Sequence, residues 1–181
     1  ILMAMSREQL VNMWMSPLKA DYDFIIFDCA PTLGIIPINA FVASDSVLVP
    51  VSAEYLPASA MTGLLKTVGR VRRQINPSLE VEGILLTLFD SRNNLAREVE
   101  ETIREQYGSA YRVFDTVIPR AVSAAEAPSV GASIFAYDGR GKVASALPRR
   151  WSAVGRKKVP ITLPGVDDLF TSQGERDGSA V

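Results

Sequence analysis

Apolar and polar positions alternate between a strand-like and a helix-like period along most of this chain. Phe24-Ile25-Ile26-Phe27 is an unbroken apolar run ending on Asp28, and it predicts a strand over 24–28 buried on both faces. Ile35 to Ala43 predicts a short apolar helix, with Pro37 tolerated in its first turn. Ser46 to Val51 predicts a second buried strand that ends or bends at Pro50. From Leu56 to Ile75 the residues Met61, Leu64, Leu65, Val68, Val71 and Ile75 recur at helical spacing, and Asn76-Pro77 stops that helix. Lys66, Arg70 and Arg73 fall on another of its faces and read as a solvated surface. Val81 to Phe89 predicts a third strand. Asn93 to Tyr107 predicts an exposed helix with Leu95, Val99 and Ile103 as its apolar stripe, and with Arg97–Glu101 and Glu100–Arg104 as i,i+4 pairs. Val113 to Ile118 is a fourth, shorter strand closed by Pro119-Arg120, followed by a loop or short helix from Ala121 to Pro128. Upstream, Ser6 and Gln9 fit a capping box before a partly helical stripe of Leu10, Val11, Met13, Trp14 and Leu18, broken at Pro17.

Strands alternating with helices over short connections define an α/β protein with a parallel sheet covered by helices on both faces. The expected domain spans 1–146, and 147–181 loses any period and fills with Gly, Pro, Ser and charge, as a polar, disordered tail does. No apolar run reaches the ~18 residues that span a bilayer, and no signal peptide is expected, since Arg7-Glu8 interrupts the apolar stretch that begins at Ile1.

Composition narrows the chemistry. The 181 residues contain no histidine, which removes Ser-His-Asp catalysis and histidine metal ligation. Cys29 is the one cysteine, so no intramolecular disulfide forms, and beside a buried strand it reads as a small inert side chain. The formal net charge of -1 gives no global attraction to nucleic acid, so any such contact must be local.

Asp28 is the residue with the most chemical promise. An acidic group at the carboxyl end of a buried parallel strand stands where open α/β sheets bind ligands. There it reads either as a Walker-B aspartate holding Mg²⁺ through water, with Pro31, Thr32 and Gly34 as a nucleotide-sensing switch loop, or as an ordinary strand-to-helix turn.

Five stretches in register carry a resemblance. Tyr22 to Gly34 resembles "YDFIIIDCPPSLG". Asn39-Ala40 with Ala43 to Val51 resembles "NAL.AAD.VLIPV", and Glu54-Tyr55 follows as in "CEYFALEG". Glu82 to Leu95 resembles "EGVLLTMYDSRTNL". Thr116 to Arg120 with Glu126 to Ser129 resembles "TVIPRNVRLSEAPS", and Tyr137-Asp138 the closing "YDP". These are stretches of the ParA/Soj-type partitioning ATPases, deviant Walker P-loop proteins. The resemblance implies a P-loop NTPase-like fold, incomplete at its amino end, and ATP and Mg²⁺ as cofactors of the intact protein. It implies an ATP-dependent self-dimer, a ParB-like partner, non-specific DNA as cargo, no membrane, and a cytoplasmic, nucleoid-associated location. It also implies that Pro119 and Arg120 border the nucleotide base and that Arg92, Arg97 and Arg120 meet DNA.

The departures are specific. A phosphate loop needs G-x-x-x-x-G-K-[ST], yet no glycine precedes Gly34, and Gly141-Lys142 is followed by Val143. The chain thus resembles a carboxyl-terminal portion of the family, expected to be inactive by itself with no catalytic residue of its own and no nucleotide bound alone. Ser123 replaces the second arginine of the "PRNVRLSEAP" stretch. The alternatives are a nucleotide-independent DNA- or partner-binding module and a MinD-like sister ATPase; the latter ends in an amphipathic membrane helix that this sequence does not display.

Overall fold

The structure, a computed structural model, describes residues 7–29, 34–53 and 58–147. Two strands, β1 (Ser46–Ser52) and β2 (Glu80–Thr87), pair in parallel from Ser46–Glu80 to Ser52–Thr87, with one irregularity between Val47 and Leu48. The crossover between them is α3 (Ala58–Gln74); α1 (Leu10–Met15) and α2 (Ile35–Ala43) precede β1, and α4 (Asn94–Tyr107) follows β2. Short helices α5 (Val122–Glu126), α6 (Ile134–Tyr137) and α7 (Lys142–Ala146) close the described part. The α/β class and the parallel sheet therefore stand as the sequence pattern predicts.

The fourth predicted strand is reduced. Residues 112–120 run parallel to the free side of β2, but they form only two isolated bridges, Ile84–Val113 and Phe89–Pro119. One more residue separates the bridges on the 113–119 side than on the β2 side, so the ladder breaks between them. Hydrogen bonds survive at the ends, from Phe114 N–H to Ile84 O at 3.0 Å and from Ile118 N–H to Leu86 O at 2.8 Å.

The predicted strand over 24–28 is not formed. Among the described residues nothing pairs with it, and Phe24 and Ile26 stand 65% and 74% exposed. A strand exists only where a neighbour completes its backbone hydrogen bonds. The local pattern is intact: residues 25, 27 and 29 are half-buried while 24, 26 and 28 are exposed, the alternation of a strand with one covered face.

Pro50 does not end β1, which runs on to Ser52. Ala53 N–H donates to Thr87 O at 2.9 Å, so odd-numbered positions point their backbone groups at β2 and Pro50 points its missing donor away. Among the described residues no strand lies on that outer edge of β1.

The core lies between β1, β2, α3 and α4. Met61 and Leu65 from α3 and Val99 and Ile103 from α4 pack on Val49, Ile84 and Leu86, with Ile84, Leu86 and Ile103 fully buried. Each such side chain contributes about 1.5–3 kcal/mol by leaving water. Val68 and Val71, one turn further along α3, join Phe41, Val42 and Leu79 in a second cluster. Two predicted stripe members fall outside: Ile75 lies past the end of α3, and Leu95 is 48% exposed because Ala96 takes the inward position.

Two buried or half-buried asparagines hold the helices. Asn39 accepts from Val11 N–H at 3.3 Å and donates to Arg7 O at 2.7 Å and Ile35 O at 3.0 Å, which pins the first segment to α2. Asn76 donates to Phe41 O, Val42 O and Ser44 O at 2.8–3.2 Å, satisfying carbonyls that the end of α2 leaves without partners. The predicted stripe of α1 has no such cover: Met13 and Trp14 are 63% and 70% exposed. The polar tail from residue 148 onward lies outside the described residues.

Candidate functional site

The carboxyl ends of β2 and of the 112–120 segment make a cleft of about 270 Å³. Thr87 and Leu88 form one wall, and Ile118, Pro119, Arg120 and Ala124 form the other. The backbone sets this shape. Phe89 N–H donates to Ile118 O at 3.0 Å and Arg120 N–H donates to Phe89 O at 3.1 Å, so Pro119 is held against the end of β2. Leu88 turns the chain here with φ of 53°, the left-handed region that a branched side chain rarely enters. Such strain collects at ligand sites, where surrounding structure enforces it. Sequence reasoning named Pro119 and Arg120, which line this cleft, and did not name Thr87 and Leu88; no local signal marks Leu88, since its conformation is imposed by the bridges on either side.

The predicted basic residues gather next to this cleft, in part. Asp90 accepts from Arg92 three times, from Nε at 3.0 Å, from the terminal nitrogen at 2.9 Å and from the backbone N–H at 3.1 Å. These bonds, led by the side-chain ones, lower the Asp90 carboxyl to about 2, and the charge of Arg120 adds to the effect. Arg97 is not paired with Glu101 as predicted: its guanidinium donates twice to Ser91 O, at 2.8 and 3.0 Å, and so buttresses the turn. The other predicted pair forms, with Arg104 and Glu100 at 2.9 Å. Asn93 caps α4 by accepting from Leu95 N–H at 3.0 Å. The turn over 90–93 thus carries Arg92, is braced by Arg97 from α4, and feels the charge of Arg120 at Asp90.

Asp28 and Gly34 stand apart from this ladder. Asp28 is exposed on the same side of its unpaired segment as Phe24 and Ile26, and Gly34 is exposed at the start of α2. Pro31 and Thr32 lie outside the described residues. Burial, and secondly the charge of Asp28, push the Cys29 thiol up, which keeps it protonated and unreactive. A single carboxylate such as Asp28 suits Mg²⁺, which takes one or two protein oxygens and fills its shell with water and phosphate. The cleft suits one ring system, being smaller than the ~300–1,000 Å³ of a site that encloses a whole ligand. Among the described residues no glycine-rich loop offers the backbone N–H groups that a triphosphate needs.

Residues 1–81 match the family AAA_31, an AAA domain. By sequence the chain is similar to the ParA/Soj-type partitioning ATPases. It is 42% identical to the chromosome partitioning protein ParA of Myxococcus xanthus, over 88% of this chain and 54% of that protein. It is 43% identical to the sporulation initiation inhibitor protein Soj of Bacillus subtilis, over 76% of this chain and 53% of that one. The chain therefore spans about half the length of the curated relatives it matches. Among solved structures, cobyrinic acid a,c-diamide synthase of Mycobacterium smegmatis with bound ADP and magnesium superposes with a TM-score of 0.62 at 31% identity, covering 78% of this chain and 58% of that one. Apo McdA of Cyanthece superposes with a TM-score of 0.65 at 18% identity, over 78% and 59%, which supports the fold. No described helix is long and apolar enough to cross a membrane.

Proposed function

We propose that this chain is the switch-and-interface portion of a ParA-type ATPase that segregates DNA by ATP-dependent dimerisation. The observation that carries the reading is a pair of unfilled edges. The outer edge of β1 has no strand against it among the described residues, and the 24–28 segment keeps its strand alternation with Phe24 and Ile26 in solvent. Both want a neighbouring strand, and a phosphate-loop strand from the rest of such an ATPase would answer that need. In the completed domain Asp28 holds Mg²⁺ through water, Pro31, Thr32 and Gly34 form the switch loop, and Pro119 and Arg120 border the adenine. The metal neutralises charge on the phosphates during hydrolysis. Arg92, Arg97 and Arg120 meet the DNA backbone, and a ParB-like partner stimulates turnover in a nucleoid-associated complex. The domain proper ends near 146, with 147–181 as an appended tail.

The chain alone lacks the phosphate cradle, so calorimetry with Mg-ATP is expected to show no micromolar binding. Fused to the phosphate-loop half of the Myxococcus xanthus relative, it is expected to hydrolyse ATP. There Asp28→Ala lowers turnover by at least a hundredfold while nucleotide affinity falls less, the pattern of lost transition-state stabilisation. Wild-type turnover in that variant would reduce Asp28 to a strand-end residue.

A further inference from the structure

A second concavity, of about 500 Å³, lies between α3 and the far end of α4. Lys66, Arg70 and Arg73 line one side, and Tyr107 and Tyr111 line the other. The three cations sit at i, i+4 and i+7, so they fall within about 60° of arc on one face of α3 and rise about 10 Å along it. No ion pair among the described residues engages any of them, and no described carboxylate lines the groove. Arg73 lies back over Gly69: a Cβ at that position would stand 3.6 Å from an Arg73 terminal nitrogen, an ordinary contact. Opposite, Thr62 and Tyr107 hydroxyls are 3.1 Å apart, which fixes one of the two phenol rings.

A row of cations one helical turn apart, unpaired among the described residues and lined on the other side by two half-buried tyrosines, is the combination that tracks a single nucleic-acid strand. The cations follow successive phosphates, and the ring faces stack bases without reading them. We infer that this groove is a binding site for single-stranded nucleic acid, independent of nucleotide. It lies away from Arg92 and Arg97: Tyr107 ends α4 ten residues beyond Arg97, about 15 Å of helix rise. A carboxylate-rich peptide offers the charge but gains nothing from the rings, and a duplex hides its base faces.

The test is fluorescence anisotropy of the full 181-residue chain without ATP, using a labelled oligothymidylate of about twelve nucleotides. Replacing Lys66, Arg70 and Arg73 together by Gln is expected to weaken binding at least tenfold and to flatten the log–log salt slope by about 2, from roughly 0.7 per phosphate on three phosphates. Arg72→Gln, a charge loss on the same helix outside the groove, serves as the matched control and is expected to change affinity by less than twofold. The basic tail is common to every variant, so the differences read the groove. Tyr111→Leu keeps the apolar packing but removes the ring face, and is expected to weaken binding about tenfold. The inference fails if the triple variant binds as the parent does, if a duplex of the same length binds as tightly as the strand, or if polyglutamate of equal charge competes as well as unlabelled oligothymidylate.

Discussion

Residues 46–107 and residues 7–36 are both rich in large apolar side chains, yet only the first stretch buries them. In the first, Ile84, Leu86 and Ile103 are fully buried; in the second, Trp14, Ile26 and Ile36 stand 70–75% exposed. The patterns in the two regions are equally regular, and the alternation over 24–29 is as clean as that of a paired strand. What differs is company. β1 and β2 find each other through α3, a crossover inside the chain, whereas the 24–28 segment has no partner among the described residues. A period in sequence fixes which face a residue will show, and a neighbour decides whether that face is covered.

The sharpest way to break the comparison is one isoleucine in each region. Ile84→Ala removes a fully buried side chain from the centre of β2, and it is expected to cost about 3 kcal/mol of unfolding free energy as transfer and cavity terms add. Ile26→Ala removes a 74% exposed one and is expected to shift stability by less than about 0.5 kcal/mol. Urea denaturation of both variants reads the difference. Equal losses would mean that the 24–28 segment is packed in solution. In the fused protein of the functional test the Ile26 variant is expected to rise toward the Ile84 value.

A second variant tests how closely the 112–120 segment approaches β2. A Cβ on Gly83 would meet the Phe114 ring at 2.6 Å and Arg112 O at 2.9 Å, and the backbone oxygen has little room to move. Gly83→Ala is expected to cost about 1–3 kcal/mol as overpacking. Its amide-exchange signature is lost protection at Phe114 N–H, whose acceptor is Ile84 O. Retained protection would show that the segment shifts without cost.

These two regions also explain what was legible. The boundaries of α2, β1, β2 and α4 follow from short-range pattern, because each element is covered by its sequence neighbours. The break in the 113–118 strand was not legible: the extra residue appears only when the register against β2 is known. Leu95 was misplaced for a related reason, since small Ala96 hides an inward position from any hydrophobicity count. At the cleft, Pro119 and Arg120 were named through resemblance, whereas the positive φ of Leu88 has no sequence signal. Asn39 was noted only as part of a family stretch, and its role as the pin between Arg7, Val11 and Ile35 needs coordinates.

That pin supplies a smaller effect. With three hydrogen bonds tied to one amide, Asn39→Ala is expected to cost about 1–2 kcal/mol. The loss falls locally, because 7–15 has few buried contacts to share it. Limited trypsin digestion should therefore cut faster at Arg7 in the variant while cleavage within 58–107 stays slow. Uniform acceleration would mean that the two regions unfold as one unit.

The smallest effect concerns the turn that joins the well-packed region to the candidate site. Asp90 is held at about 2 by its hydrogen bonds to Arg92, against an ordinary value near 3.8. A carboxyl lowered on folding stabilises the native state above its unfolded value and loses that contribution as pH falls through the folded one. The turn is thus fully supported above pH ~4.5 and loosens between pH ~4 and ~2. Because the pair is open to solvent, the change is expected in the turn and not in global stability. Carbon-detected NMR titration of the Asp90 carboxyl reads it directly. In Arg92→Gln the midpoint should move up toward 3.8, while the backbone bond from residue 92 keeps part of the depression. If the midpoint stayed near 2 in that variant, Arg120 would be the stronger partner of Asp90. The basic cluster would then be organised across the cleft instead of along the turn.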